Sequence, residues 1–112
     1  MLYYFSYSIL RLILNNNIWF IEKTKKIEKY LDLLPKNVKI MAYALFKDIE
    51  KEGPLQATWP NFSPLKGTGL TNAFHCHLKK GRPTYVACWR IADKKDKIIE
   101  VYYVGTHENA PY

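Results

Sequence analysis

Three histidines, His75, His77 and His107, share this chain with Tyr112 and a set of cations, Lys66, Lys79, Lys80, Arg82 and Arg90. Imidazole titrates near neutrality, so it can take or give a proton at physiological pH, and lysine or arginine can hold a phosphate. That combination suits metal-free RNA cleavage. The reaction needs a base for the ribose 2′-hydroxyl proton, an acid for the leaving 5′-oxygen, and positive charge over the crowded phosphorus. The RNA supplies its own nucleophile, so no protein nucleophile is required. Neither a metal nor a cofactor is expected: His75 and His77 form an H-x-H pair without a clear third ligand, and no CxxC spacing is present.

Each residue has a plainer reading beside the chemical one. His107, two residues past Gly105, is an acid/base candidate against an ordinary loop histidine. His75 and His77 face RNA or simply solvent. Lys66 touches phosphate or solvates a loop, and Lys79, Lys80 and Arg82 form a hairpin tip that is solvated or binds phosphate loosely. Arg90, on a strand with apolar neighbours, needs an anionic partner or an open face. Tyr112 stacks a base, orients a phosphate or is merely packed. Glu100 is expected in a rim salt bridge rather than as a base.

The elements that must position these groups are legible in the patterning. Residues 18–23 (IWFIEK) read as a first strand, and Thr24 as the N-cap of a helix from Lys25 to about Leu34, stopped by Pro35. A second helix spans about residues 36–52, with Val38, Met41, Ala42, Leu45 and Ile49 as its apolar stripe and Gly53-Pro54 as its stop. The two helices form a hairpin. Residues 53–70 carry several Pro and Gly and are expected to be mostly irregular, pinned to the domain by Trp59 and Phe62.

From Asn72 onward the period becomes two. Phe74, Cys76 and Leu78 alternate with His75, His77 and Lys79, residues 85–92 form a largely apolar central strand, and residues 98–104 form the last one. The expectation is α+β: an N-terminal strand, then an αα-hairpin on one face of a small antiparallel sheet (β-α-α-β-β-β), with no C-terminal helix. The opposite face is left open, with the histidines on it and Arg90 joining them from the next strand.

With 112 residues the chain makes one domain, residues 17–112, preceded by an apolar extension at residues 1–16. That extension is too short to span a bilayer and is interrupted by Arg11, so it reads as an amphipathic helix on the domain, with no membrane role. A net charge of +7 favours polyanionic partners, nucleic acid first. Cys76 and Cys88 lie in apolar runs, as reduced buried thiols of a cytosolic protein do, although neighbouring strands would also let them pair.

The segments LKG (residues 65–67), FHCHLKKGRPTYVACWRI (74–91) and VYYVGTHENAPY (101–112), in that element order, resemble the RelE/ParE toxin superfamily of toxin–antitoxin systems. Within it they resemble the branch described as cytotoxic translational repressors. The resemblance runs from Ile18 to Tyr112, and its most specific part is Gly105, His107 and Tyr112 after the final strand. It implies a cytoplasmic, ribosome-dependent endoribonuclease that cuts mRNA and is neutralised by a cognate antitoxin in a hetero-oligomer. By motif match, Lys66 corresponds to a phosphate-side lysine, His107 to the acid/base or phosphate position, and Tyr112 to the C-terminal tyrosine. Many RelE-type members carry Arg in the second meander strand, where this chain reads Tyr85, Val86 and Ala87, and on the preceding strand, where it has His75 and His77. Arg90 or Arg82 would then compensate. Two alternatives remain: a ParE-like inhibitor of DNA gyrase and a noncatalytic RNA- or ribosome-binding module.

Overall fold

The structure, a computed structural model, describes residues 17–67, 69 and 71–112. The expected helical extension at residues 1–16 lies outside the described residues. The chain forms strand β1 (Phe20–Lys23), helices α1 (Lys25–Leu33) and α2 (Lys36–Glu52), and strands β2 (Ser63–Pro64), β3 (Ala73–Lys79), β4 (Tyr85–Asp93) and β5 (Ile98–Thr106). A 3-10 turn, His107–Asn109, follows β5 in place of a helix. The class is α+β. Among the described residues, no helix is long and apolar enough to cross a membrane.

Local chemistry sets the helix bounds. The Thr24 hydroxyl accepts the Ile27 N–H at 3.2 Å, satisfying one of the donors left free at a helix start. Pro35 separates the two helices, and at Gly53 (φ +92°) the backbone N–H donates to the Ile49 carbonyl at 2.8 Å. The buried stripe of α2 is Val38, Ala42, Leu45, Phe46 and Ile49. Met41, expected in that stripe, is 40% exposed. The steps from Val38 to residues 42, 45, 46 and 49 centre the buried arc away from Met41, which falls just outside one edge of it, while Phe46 extends the opposite edge.

The sheet is mixed, with five strands in the order β1-β5-β4-β3-β2. The expected antiparallel meander β3-β4-β5 is its centre, and β4 is the middle strand. Two features go beyond the expected meander. β1 pairs parallel with β5, Phe20 opposite Ile98, so the whole intervening chain acts as the crossover that a parallel pair requires. β2, within the stretch expected to be irregular, adds two residues on the other edge, with Ser63 opposite His75. β1 also starts two residues later than the pattern predicts, because the Trp19 N–H donates to Glu50 of α2 rather than joining the sheet.

Phe74, Cys76, Leu78, Ala87, Trp89, Ile99, Val101 and Val104 meet Ile27, Leu31 and the α2 stripe in one core. Trp89 is fully buried, and its indole N–H donates to the Pro54 carbonyl at 3.0 Å, so the aromatic body packs without an orphaned donor. Phe62 stacks on Phe74 and Trp89, and the Trp59 indole donates to the Asp48 carboxylate at 2.9 Å. Both aromatics pin the loop as expected. The register sets His75 opposite Cys88 and Cys76 opposite Ala87, which puts the two buried, free thiols on opposite faces of the sheet.

A candidate acid–base site on the open sheet face

Alternation along β3 sends Phe74, Cys76 and Leu78 into the helix-covered core and leaves His75 and His77 half-buried on the other face. No described helix covers that face, yet it is not bare: Val86 and Cys88 on it are fully buried. Across the sheet, His77 faces Val86 and Val86 faces Gly105, so the end of β5 lies two strands from the histidine pair. A Cβ at Gly105 would sit 2.7 Å from the Tyr103 hydroxyl, and that hydroxyl donates to the Thr106 carbonyl at 2.7 Å. Glycine therefore lets Tyr103 fold back over its own strand and clamp the residue before His107.

The chain leaves the sheet under two further restraints. The His107 N–H donates to the Thr84 carbonyl at 2.8 Å, tying the strand exit to the β3–β4 hairpin. That hairpin is itself closed by the Thr84 hydroxyl donating to the Gly81 carbonyl at 3.0 Å. The 3-10 turn then doubles the chain back over the sheet. As a result the Tyr112 ring lies 4.7 Å from His75 and 5.8 Å from His107, centre to centre. His77 lies 5.7 Å from His107 and 6.1 Å from His75. Residues up to 37 positions apart in sequence thus form one ring cluster. Among the described residues no three His, Cys, Asp or Glu side chains are arranged to hold a metal ion.

The cluster opens onto a cleft of about 610 Å³ lined by His77, Gly81, Arg82, Pro83, Thr84, His107 and Glu108. The volume is in the range that takes a nucleotide-sized ligand. Arg82 places a permanent cation on its wall, and the exposed Lys79 and Lys80 extend the positive charge along the hairpin.

Burial and crowding set the protonation states. Burial lowers the pKa of His75, the Ser63 carbonyl beside it opposes that shift, and His107 adds to the lowering. His77 is lowered by burial first, then by His75, His107 and Lys80. Both rings are therefore neutral at pH 7, the form in which an imidazole accepts a proton. Tyr112 is pushed up to about 12, mainly by burial, with the Cys88 and Cys76 thiols adding to it, so it stays a phenol. One polar atom here lacks a hydrogen-bond partner, the His77 Nδ1. Tyr102 lies against Cys88, and its pKa is raised by burial and then by that thiol.

Of the residues singled out in the sequence, His75, His77, His107 and Tyr112 come together, and Arg82 joins them through the cleft. Arg90 lies on the same face as expected, but its Nε donates to Glu100 Oε1 at 2.6 Å. Glu22, opposite Glu100 in the parallel pair, is a second carboxylate beside them, with its pKa raised by burial and by Glu100 against the pull of Arg90. Arg90 is thus countered by acids, and Glu100 makes the expected salt bridge. Lys66 is exposed in the loop after β2, next to Leu65, whose N–H donates to Ala73. That is the far end of β3, four residues and about 13 Å along the strand from His77.

Three contributors escaped the sequence reading: Ser63, whose hydroxyl and carbonyl oxygens lie 3.2 and 3.3 Å from His75 Nδ1, and Cys88 and Tyr102 beneath Tyr112. Period-two patterning identifies the face of Cys88 once its register is known, whereas nothing in the dipeptide Ser63-Pro64 announces a strand. Comparison of the chain with protein-family models returns no match, and comparison with curated proteins returns none either.

Proposed function

We propose that the chain is the toxin of a toxin–antitoxin pair, a metal-free endoribonuclease that cuts mRNA on the ribosome and so represses translation. The observation that carries this reading is the convergence of His75, His77, His107 and Tyr112 at one end of an open sheet face, beside a cleft walled by Arg82. A neutral imidazole takes the ribose 2′-hydroxyl proton, and the freed 2′-oxygen attacks the adjacent phosphorus. The 5′-oxygen leaves with a proton from an acid on the other side of the cluster, where His107 is the exposed candidate. The products are a 2′,3′-cyclic phosphate and a 5′-hydroxyl. Arg82, with Lys79 and Lys80 behind it, steadies the phosphate. Tyr112, held as a phenol, is suited to stack a base or donate a hydrogen bond.

The sheet-and-hairpin architecture, the resemblance of residues 65–67, 74–91 and 101–112 to RelE-type toxins, and the +7 charge support the same reading. A cognate antitoxin, the ribosome and a cytoplasmic site of action belong to the proposal. The chemistry is tested on the RNA product. Cleavage in a translation reaction should leave cyclic phosphate ends, persist in EDTA-treated protein assayed at fixed ribosomal magnesium, and stop when the 2′-hydroxyl at the cut site is replaced by hydrogen. Cleavage of the 2′-deoxy substrate would rule out this mechanism.

A further inference from the structure

The shortest strand holds one imidazole in a defined state. His75 Nδ1 lies between two oxygens of Ser63, the hydroxyl at 3.2 Å and the backbone carbonyl at 3.3 Å, across the β2–β3 pair that sets these residues opposite each other. A hydroxyl can donate or accept, but a carbonyl can only accept. A bare lone pair on Nδ1 would face the carbonyl lone pairs, so the ring proton belongs on Nδ1. In a neutral imidazole the lone pair is then on Nε2.

We propose that Ser63 is a positioning residue, which holds the His75 proton on Nδ1 and so presents Nε2 as the base that takes the ribose 2′-hydroxyl proton. This rests on the ribonuclease reading above. The proton passes from the 2′-hydroxyl to Nε2, giving an imidazolium with a proton on each nitrogen. Ser63 stabilises that cation through the Nδ1–H, while the leaving 5′-oxygen is protonated from the other side of the cluster. His77 differs: its Nδ1 has no partner, so no contact at that nitrogen fixes its tautomer. Of the two half-buried imidazoles on β3, the anchored ring is therefore the one prepared to act as base. Tyr112, the nearest titratable ring, stays a neutral phenol; His77 lies 6.1 Å away, and His107 disfavours a positive charge on His75.

The test combines a tautomer measurement with kinetics. Long-range nitrogen–proton NMR of histidine-labelled protein above pH 7 should show His75 as the Nδ1–H tautomer, with slowed exchange of that proton. Ser63→Ala removes the hydroxyl and keeps the carbonyl, so it should leave the tautomer and the acid limb of the pH profile in place, speed the exchange, and lower kcat for RNA cleavage roughly two- to tenfold with KM unchanged, the scale of one hydrogen bond. Ser63→Thr should restore both the slow exchange and the rate. His75→Asn, whose amide can keep the Ser63 contact, should stay folded and lose cleavage. An Nε2–H tautomer in the wild type would overturn the proposal, as would wild-type kcat in Ser63→Ala when His75→Asn is inactive. If the wild type shows the Nδ1–H tautomer yet cuts no RNA, the ribonuclease reading fails, and Ser63 is a structural clamp without the catalytic role.

Discussion

At the scale of single residues, the groups of the cluster differ by environment. His75 and His77 are half-buried and held neutral, Tyr112 is held protonated, and His107 stands at the exposed lip. His107→Ala is expected to lower the cleavage rate on the order of 10²- to 10⁴-fold, the usual share of one acid–base group, while RNA binding persists. Single-turnover rates beside filter binding would check it. The lowered histidines also fix the sign of a pH effect on stability. Below about pH 6.5 the unfolded chain takes up protons that the folded rings resist, so stability falls as pH drops from 6.5 toward the folded pKa values. Urea midpoints at pH 7.5 and 5.5 should show this fall, and His75→Asn with His77→Gln should flatten it. His107, Tyr112 and the alternation at His75 and His77 were legible as chemistry in the sequence. Ser63 was not, because a two-residue strand has no period to read.

At the scale of elements, the helices and the meander were readable because their apolar spacing repeats over many residues. Thr24, Pro35 and Gly53 mark ends that the structure places within a residue or two of expectation. The partner of β1 was not readable, since strand pairing is set by contacts between segments that lie far apart in sequence. The same limit applies to Arg90. Its face could be inferred, whereas its capture by Glu100 depends on the β4–β5 register and the irregularities within it. Two substitutions probe how the elements support the site. Gly105→Ala should displace the Tyr103 ring and with it the turn that carries His107, reducing cleavage more than it reduces melting temperature. Trp89→Ala, in the core beneath the sheet, should cost about 3–5 kcal/mol by urea denaturation, the range for removing a buried aromatic.

At the scale of the whole molecule, one sheet serves two purposes. Its helix-covered face supplies the core, and its other face carries the rings, with cations at the hairpin end and the Arg90–Glu100–Glu22 group further along. Polyanion binding should therefore be strongest at the hairpin end and depend on salt. Arg82→Ala is expected to weaken single-stranded RNA binding across sequences and to reduce the salt slope by about 0.7, one phosphate contact's worth. Binding titrations at several salt concentrations would measure it. Fold class, and the face on which the candidate residues lie, followed from periodicity and residue type. The assembly of His75, His77, His107 and Tyr112 required the strand order, because only the β3-β4-β5 neighbourhood and the turn after β5 bring them together.

The most direct test of a ribonuclease is a translation reaction with purified protein, wild type beside His107→Ala, with mRNA ends mapped by primer extension. Discrete cuts within translated codons are expected for the wild type and none for the variant. Blocked translation on intact mRNA would contradict that expectation and identify a noncatalytic binding module, while untouched translation would turn attention to DNA gyrase.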